Sequence, residues 1–599
     1  MNKYTSNQRE FIGMDIKQVD ADYYNSKSRR PVSLKRAWNR MSSFQRFIAI
    51  CGTIALVMLA IVKVSSNNVQ LDTQRIMEDI RRDKAAGKSR YKTNNPEKIL
   101  VNRPVRPMHP HLSDTNSEQI VSDSPPKMSK RTSSWLDNIR QWKVHRTDRQ
   151  KEVAKAFQHA WQGYKKFAWG HDELRPISRS HSTWFDIGLT IVDSIDTILI
   201  MGLKDEYSEA RDWIANKLTF NKNRDVNLFE ITIRALGGLL SAYNISGDQV
   251  FLNQAKELGH RLLPAFNTPS GIPYSDVNLG SSTAHGPSYG GDSSLSEVST
   301  IQLEFRYLSY LTKDENYKRL ADNVITKIQK LSKKDGLCPM YINTHTGQFT
   351  SGTVTLGARG DSYYEYLLKQ WLQTYKQETR FKEYYEEAMD GVIKHLIKKS
   401  VPNQLTYVGE MHGSQFSPKM DHLVCFLAGN LALGAHNGLP AKHLQIGKEL
   451  TETCYQMYAR MPTLLSPEIV YFNTNPHGIE DIIVKPNDAH NLLRPETVES
   501  LFILYRITRD PKYKNYGWNI FKAFEKECRV ENGYSSLNSV KQHGSYRDKL
   551  ESFFLAETLK YLFLLFSDDD DEGRMIEPVP LNQYVFNTEA HPLPIINNF

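Results

Sequence analysis

Cysteine is scarce in this chain, with five in 599 residues, which excludes a small disulfide scaffold. None of the five lies at the paired spacing of a zinc site. No D-x-D-x-D-G loop of the calcium-binding kind occurs either; the acidic run at Asp568 lacks that spacing and reads as a solvated loop. Glycine (33) and proline (26) show no collagen-like period, and a composition of 40% hydrophobic and 24% charged residues excludes a mostly disordered chain. Most of the protein also lacks a basic surplus. The net charge is +9, but residues 1–150 hold 28 of the 76 Lys and Arg and 14 of the 67 Asp and Glu, leaving 48 against 53 in the rest. The large C-terminal part is mildly acidic, which disfavours nucleic acid as its partner.

Long hydrophobic runs are missing too, save one. Phe47 to Val62 reads FIAICGTIALVMLAIV, sixteen residues without a charge. That is short against the roughly 20 residues of a usual span, but Lys63 can snorkel and a thin early-secretory membrane would accommodate it. Seven basic residues, from Lys27 to Arg46, precede the run. The positive-inside rule therefore predicts a cytosolic tail over 1–46, a transmembrane anchor over 47–64 and a lumenal remainder. A cleaved signal peptide would need an A-x-A-like site after the run, and none follows. Residues 65–147, rich in Ser, Asn, Lys, Arg and Pro, are expected to form a low-order stem, because such composition cannot bury enough surface to fold alone.

From residue 148 to 599 the pattern becomes amphipathic and helical, and it repeats. Apolar runs begin at Phe185, Phe229, Ser296, Asp361, Asp421, Arg494 and Glu551, most of them about 60 to 70 residues apart. More polar runs lie between them, such as DENYKRLADNVITKIQKL and TRFKEYYEEAMDGVIKHL. Runs that are hydrophobic nearly all round should be inner helices, and the polar-faced ones outer. Seven such pairs closing on themselves would make an α/α toroid with one core, and an open α-solenoid is the alternative.

Acids recur where the inner runs start: Glu230, Glu297, Asp361, Glu496, Glu499 and Glu551. Taken singly, each reads as a favourable charge at a helix N-terminus. Gathered at one mouth of a toroid, they must raise some carboxyl pKa values, hold a cation, or both. Glycosidic cleavage needs one carboxylic acid to protonate the leaving oxygen and one carboxylate as nucleophile or as base for a water. Arg234, Arg359 and Arg494 interleave with the acids and can keep some ionised. Phe553, Tyr363 and Trp184 could stack on a sugar ring, although each is equally readable as core.

Several long stretches carry a resemblance. KFAWGHDELRPISRS, IVDSIDTILIMGL, FEITIRALGGLLSAY, SEVSTIQLEF, GARGDSYYEYLLKQW, DHLVCFLAG, LRPETVES and FNTEAHPLP, in this order, make residues 150–599 resemble the class I α-1,2-mannosidases, glycoside hydrolase family 47. The layout of tail, span and stem is similar to the type II members of the endoplasmic reticulum and Golgi. The resemblance implies an all-α (α/α)7 barrel plugged by a C-terminal β-hairpin. It further implies inverting, Ca²⁺-dependent hydrolysis of terminal α-1,2-linked mannose from high-mannose N-glycans, in glycan processing and quality control. The family's three acids fall on Glu230, Asp361 and Glu496. Glu496 is expected to be the general base; Glu230 reads as the proton donor, acting through a water, with Asp361 as the competing assignment. The family's calcium ligand falls on Thr588, with waters held by Glu499, Glu557 and Glu589. Arg234, Glu297, His422, Arg494 and Phe553 match positions lining the sugar pocket. Arg359 matches the endoplasmic reticulum type, which implies removal of chiefly one mannose from Man9 to give Man8; Golgi members carry a smaller apolar residue there. Cys425 and Cys454 match the family's disulfide.

Cys338 and Cys528 could pair or stay free, and Cys51 reads as a small apolar residue of the anchor. One glycosylation sequon, Asn244-Ile245-Ser246, is expected in a surface turn. The catalytic part is expected to be monomeric and membrane-tethered. Three rivals remain: a Golgi-type enzyme trimming to Man5, a mannosidase-like lectin acting in glycoprotein degradation, and another α/α-toroid enzyme acting on a different glycan, which would not need Thr588.

Overall fold

The computed structural model describes residues 133–287, 292–567, 577–597 and 599. The expected tail and anchor lie outside the described residues, as does most of the stem. Among the described residues no helix is long and apolar enough to cross a membrane. The last part of the stem is described, and it corrects the expectation of low order there. Ser133–Arg140 is a helix whose Trp135 and Ile139 are buried. Trp135 meets Tyr584 edge-on with ring centroids 5.5 Å apart, and Arg140 Nε donates to the Ile245 carbonyl at 2.8 Å. Four-residue spacing puts both apolar side chains on one helical face, too short a pattern to stand out in a polar stretch.

Fourteen helices build the body: α1 (Asp148–Phe167), α2 (Leu189–Met201), α3 (Lys204–Asn216), α4 (Gly237–Ser246), α5 (Gln249–Leu262), α6 (Gln302–Thr312), α7 (Glu315–Lys330), α8 (Asp361–Gln373), α9 (Thr379–His395), α10 (Phe426–His436), α11 (Lys442–Ala459), α12 (Glu496–Thr508), α13 (Pro511–Glu527) and α14 (Leu559–Leu565). Even-numbered helices are inner and odd-numbered ones outer. Each inner helix packs on the next, α14 returns to α2, and every outer helix covers the inner one before it, with α1 covering α14. The ring has no open end, unlike a solenoid.

The two layers follow from side-chain pattern. In α7 only Tyr317, Ala321, Val324, Ile325 and Ile328 are buried, one stripe at helical spacing facing inward. Asp314 caps it, accepting from Asn316 N at 3.0 Å. In α12 burial runs unbroken from Thr497 to Leu504, because neighbours cover every side. Close approach of α10 and α11 depends on Gly447, where a Cβ would stand 2.6 Å from the Ala428 carbonyl oxygen.

Loops at the helix ends pair into two- and three-stranded antiparallel ladders, which an all-α reading did not include beyond the C-terminal hairpin. Two ladders position the site. Strand β1 (Lys419–Asp421) pairs with β2 (Ile469–Phe472), delivering His422 and Glu468. Near the C-terminus β3 (Tyr584–Phe586) pairs with β4 (Pro592–Pro594), packed against the inner helices α4, α6 and α8. A buried ionic knot fastens this hairpin. His591 Nδ1 lies 2.9 Å from Asp196 and Nε2 3.1 Å from Asp193, both on α2, and Lys560 of α14 lies 2.9 Å from Asp196. Burial opposes charge on His591, but Asp196 and Asp193 outweigh it and raise its pKa to about 9. Asn587 Nδ2 donates to Glu304 and to the Ile233 carbonyl at 2.7 and 2.9 Å, so the hairpin turn carrying Thr588 and Glu589 is held at one end of the ring.

Candidate active site

The acids singled out in the sequence sit where the inner helices begin. Asp361 and Glu496 are the first residues of α8 and α12. Glu230 lies in a short helical turn, Leu228–Ile231, capped by Asn227, whose Oδ1 accepts from Glu230 N at 3.0 Å. Two π-helical turns, Thr232–Leu236 and Phe554–Thr558, lead into α4 and α14. They carry Arg234 and Glu557, and such turns widen a helix where function requires a side chain to be re-aimed.

Arg234 is the hub of one side. Its Nε donates to Glu230 Oε2 at 2.9 Å, and its Nη1 donates to Glu589. The Phe553 ring lies between two guanidinium groups, with Arg234 and Arg494 at 5.6 and 5.5 Å from its centroid. Trp184 faces Arg234 at 5.9 Å. Arg494 in turn donates to Glu468.

The two central acids have opposite bias. Burial pushes Asp361 up to about 7, against hydrogen bonds from Ser362 N and Ser296 Oγ, both 2.8 Å and both landing on Oδ1. Burial also opposes ionisation of Glu496, but the hydrogen bond from His422 and the charge of Arg494 outweigh it and leave this carboxyl below its ordinary range. His422 Nδ1 stands 2.7 Å from Glu496 Oε2. Two carboxyl groups whose environments push them apart are the arrangement that acid and base roles require.

A third region surrounds Thr588. Its hydroxyl donates to Glu365 Oε2 at 2.7 Å. Lys369 bridges Glu365 and Glu499. Burial pushes Glu499 and Glu589 up to about 8 and Glu557 well above its usual range. The carboxylates outnumber the cations here. Among the described residues no three Asp, Glu, His or Cys side chains converge as direct metal ligands. A hard cation would therefore bind Thr588 and waters. The donor set fits that, since the hydroxyl proton is committed to Glu365 and the oxygen's remaining lone pairs are left for a cation.

The structure thus brings together Glu230, Arg234, Asp361, His422, Arg494, Glu496, Glu499, Phe553, Glu557, Thr588 and Glu589. Arg359 sits two residues before Asp361 with φ +77°, its guanidinium on the Tyr341 hydroxyl and 5.5 Å from that ring. Glu297 is near but spent on structure: it accepts from Ser294 N at 2.7 Å and Asn227 Nδ2 at 2.8 Å. Tyr363 is not at the mouth in any usable sense, being buried with its hydroxyl taken by Gln329. Glu551 pairs with Lys549 at 2.7 Å. Cys425 and Cys454 form a disulfide, whereas Cys338 and Cys528 are buried free thiols. Asn244 is half-buried and falls inside α4 rather than in a turn; its Nδ2 is buried and its Oδ1 accepts from Tyr307. Sequence reasoning missed Glu365, Lys369, Tyr458 and Glu468. The first two could have been found, since they follow Asp361 at four-residue steps and share its helical face.

The family profile described as glycosyl hydrolase family 47 matches residues 156–595. The human endoplasmic reticulum mannosyl-oligosaccharide 1,2-alpha-mannosidase is 59% identical over 76% of this chain and 65% of its own length. The rat protein of the same name is 45% identical over 98% of both chains. Among solved structures, the alpha-1,2-mannosidase from Trichoderma reesei aligns with a TM-score of 0.69 at 30% identity, covering 75% of this chain and 99% of that one.

Proposed function

Because this chain belongs to glycosyl hydrolase family 47, we propose that it is an inverting, Ca²⁺-dependent α-1,2-mannosidase of the endoplasmic reticulum type, built on an (α/α)7 barrel and converting Man9 N-glycans to Man8. The observation that carries the reading is the contrast in surroundings of Asp361 and Glu496 at one mouth of the helical ring, the first buried with only neutral donors on Oδ1 and the second set against His422 and Arg494. Glu496, ionised and aligned by His422, removes a proton from the attacking water. Asp361, kept neutral by burial, protonates the leaving oxygen, its proton on Oδ2 because the hydrogen bonds from Ser296 Oγ, Ser362 N and Ser362 Oγ all land on Oδ1. Glu230 is the weaker candidate for that role, since its Oε2 is engaged by Arg234. Arg234 and Arg494 hold sugar hydroxyls on either side of Phe553, whose face suits a pyranose ring. Thr588, with waters on Glu365, Glu499, Glu557 and Glu589, would hold the cation, which when bound supplies positive charge to orient hydroxyls and water.

The test is incubation of the purified protein with Man9 glycan, with and without EDTA, followed by product mass. A calcium-dependent stop after one lost hexose is expected. Stepwise loss to Man5 at low enzyme would move the assignment to the Golgi type, and binding without loss would favour the lectin. Arg359→Leu is expected to release that stop, giving Man7 and smaller products within the same incubation. An unchanged product series would remove Arg359 from specificity.

Calcium should also stabilise the fold by mass action, by about 2.7 kcal/mol when free ion stands at 100 times its Kd. EDTA is therefore expected to lower the melting temperature of the wild-type protein by several degrees. Thr588→Ala should start low and not respond further. A wild-type melting curve indifferent to EDTA would sink the metal assignment.

A further inference from the structure

Behind the general base lies a chain of hydrogen bonds that reaches the outer layer. Glu496 is an ionised carboxylate and can only accept, so the ring nitrogen facing it, His422 Nδ1, carries a proton. In the neutral ring Nε2 is then an acceptor with one in-plane lone pair. The Tyr458 hydroxyl fills it at 2.8 Å. The Thr497 hydroxyl stands slightly farther, at 3.1 Å. Tyr458 belongs to the outer helix α11, and its ring meets His422 edge-on at 5.6 Å. Both side chains are buried, so neither contact is exchanged with solvent.

The two elements carrying these residues are joined twice. His422 opens the turn His422–Cys425 after β1, and Cys425, three residues on, is disulfide-bonded to Cys454. Cys454 is one helical turn before Tyr458 on α11. One covalent rung and one hydrogen-bonded rung therefore link the same turn to the same helix. His422 N is also anchored, donating to the Glu468 carbonyl at 2.7 Å. An imidazole has two faces and two tautomers. The backbone and the disulfide fix where its Cα is; the carboxylate at Nδ1 and a donor at Nε2 together fix which nitrogen keeps the proton and how the ring is turned.

We propose that Tyr458 is a positioning residue for the reaction: its phenol donates to His422 Nε2 and so holds the tautomer and ring orientation that keep Nδ1–H on the general base Glu496. This rests on the reading of Glu496 as base. A phenol placed only to satisfy itself in a core would serve equally well on a backbone carbonyl; here it is spent on the residue that sets the charge state of Glu496. The other titratable groups facing Glu496 are Arg494 two residues before it, Glu499 one turn on, Glu557 from the π turn and Asp361 from α8. The three acids oppose its ionisation, so His422 and Arg494 are what maintain it.

The experiment compares Tyr458→Phe with wild type in the full chain, below the melting range of both, with Man9 as substrate. The expected result is a fall in kcat of roughly 10- to 100-fold, a part of what general-base catalysis contributes, with KM within about twofold and the acid limb of the kcat–pH profile moved to higher pH. Adding Thr497→Val should deepen the loss more than Thr497→Val does alone, since the Thr497 hydroxyl is the substitute donor. A kcat within about twofold of wild type with an unmoved acid limb overturns the inference. So does a loss that merely follows a lower melting temperature, which would make Tyr458 structural. Glu496→Gln is measured alongside: if it is inactive while Tyr458→Phe is normal, only this inference fails. If Glu496→Gln turns over, the base assignment fails and takes the inference with it.

Discussion

Glu496→Gln is expected to lose turnover by about 10²–10⁴-fold while the glycan still binds, because the amide keeps the shape of the side chain and cannot take a proton from water. His422 Nδ1 can still donate to the amide oxygen, so the pocket should persist. In the proposed site Arg234, Phe553 and Arg494 would contact the sugar through groups the substitution does not touch. Product release from Man9 and calorimetric binding of the same glycan, measured on one preparation, separate chemistry from affinity. Loss of binding in parallel with turnover would mean that Glu496 holds sugar and not water, and the catalytic assignment would have to move.

A comparable loss is expected for Asp361→Asn, with a pH signature that Glu230 cannot imitate. Burial holds Asp361 neutral up to about pH 7, so the acid is competent below that value and kcat declines as pH rises through it. In Asp361→Asn that alkaline limb should vanish along with most of the activity. Stability responds to pH in the same direction. The folded pKa lies above the ordinary aspartate value, so between about pH 3.9 and 7 the unfolded chain binds fewer protons and the Asp361 contribution to stability falls as pH rises. Asparagine carries no proton to lose. The variant should therefore melt no lower than wild type at neutral pH while being far slower. A variant that keeps its alkaline limb, or one slowed no more than Glu230→Gln, would transfer the proton-donor role to Glu230.

Much of the architecture was legible from patterning. Seven apolar runs at a regular interval, with polar-faced runs between them, are the α2–α14 inner set and its outer cover. Burial on all sides against burial on one stripe is a direct reading of hydrophobic order in α12 and α7. Acids at the starts of inner runs also pointed to the site, because parallel inner helices bring their first residues to one mouth. The helix formed by Ser133–Arg140 was not legible. Its two anchoring side chains gain their partners from Tyr584 and the α4 region, which lie far away in sequence. The helical placement of Asn244 escaped for a similar reason, since a sequon reports local sequence and the cover on its amide comes from Tyr307 and from the helix Ser133–Arg140.

Sequence by itself determined the helical repeat, the family, and the chemical types available at the mouth: carboxylates, guanidinium groups, one imidazole and an aromatic ring. Those follow from residue identity and spacing alone. Tertiary structure decided the surroundings that set them apart. Asp361 and Glu496 are both first residues of inner helices, and nothing in their local sequence distinguishes an acid from a base. Asp361 is turned into desolvated surroundings with only neutral donors on one oxygen, while Glu496 meets His422 and Arg494. A carboxyl group's charge is set by the dielectric and the charges around it in space, and these neighbours come from β1, β2, α8, α11 and the C-terminal hairpin, elements that only folding brings within a few ångströms.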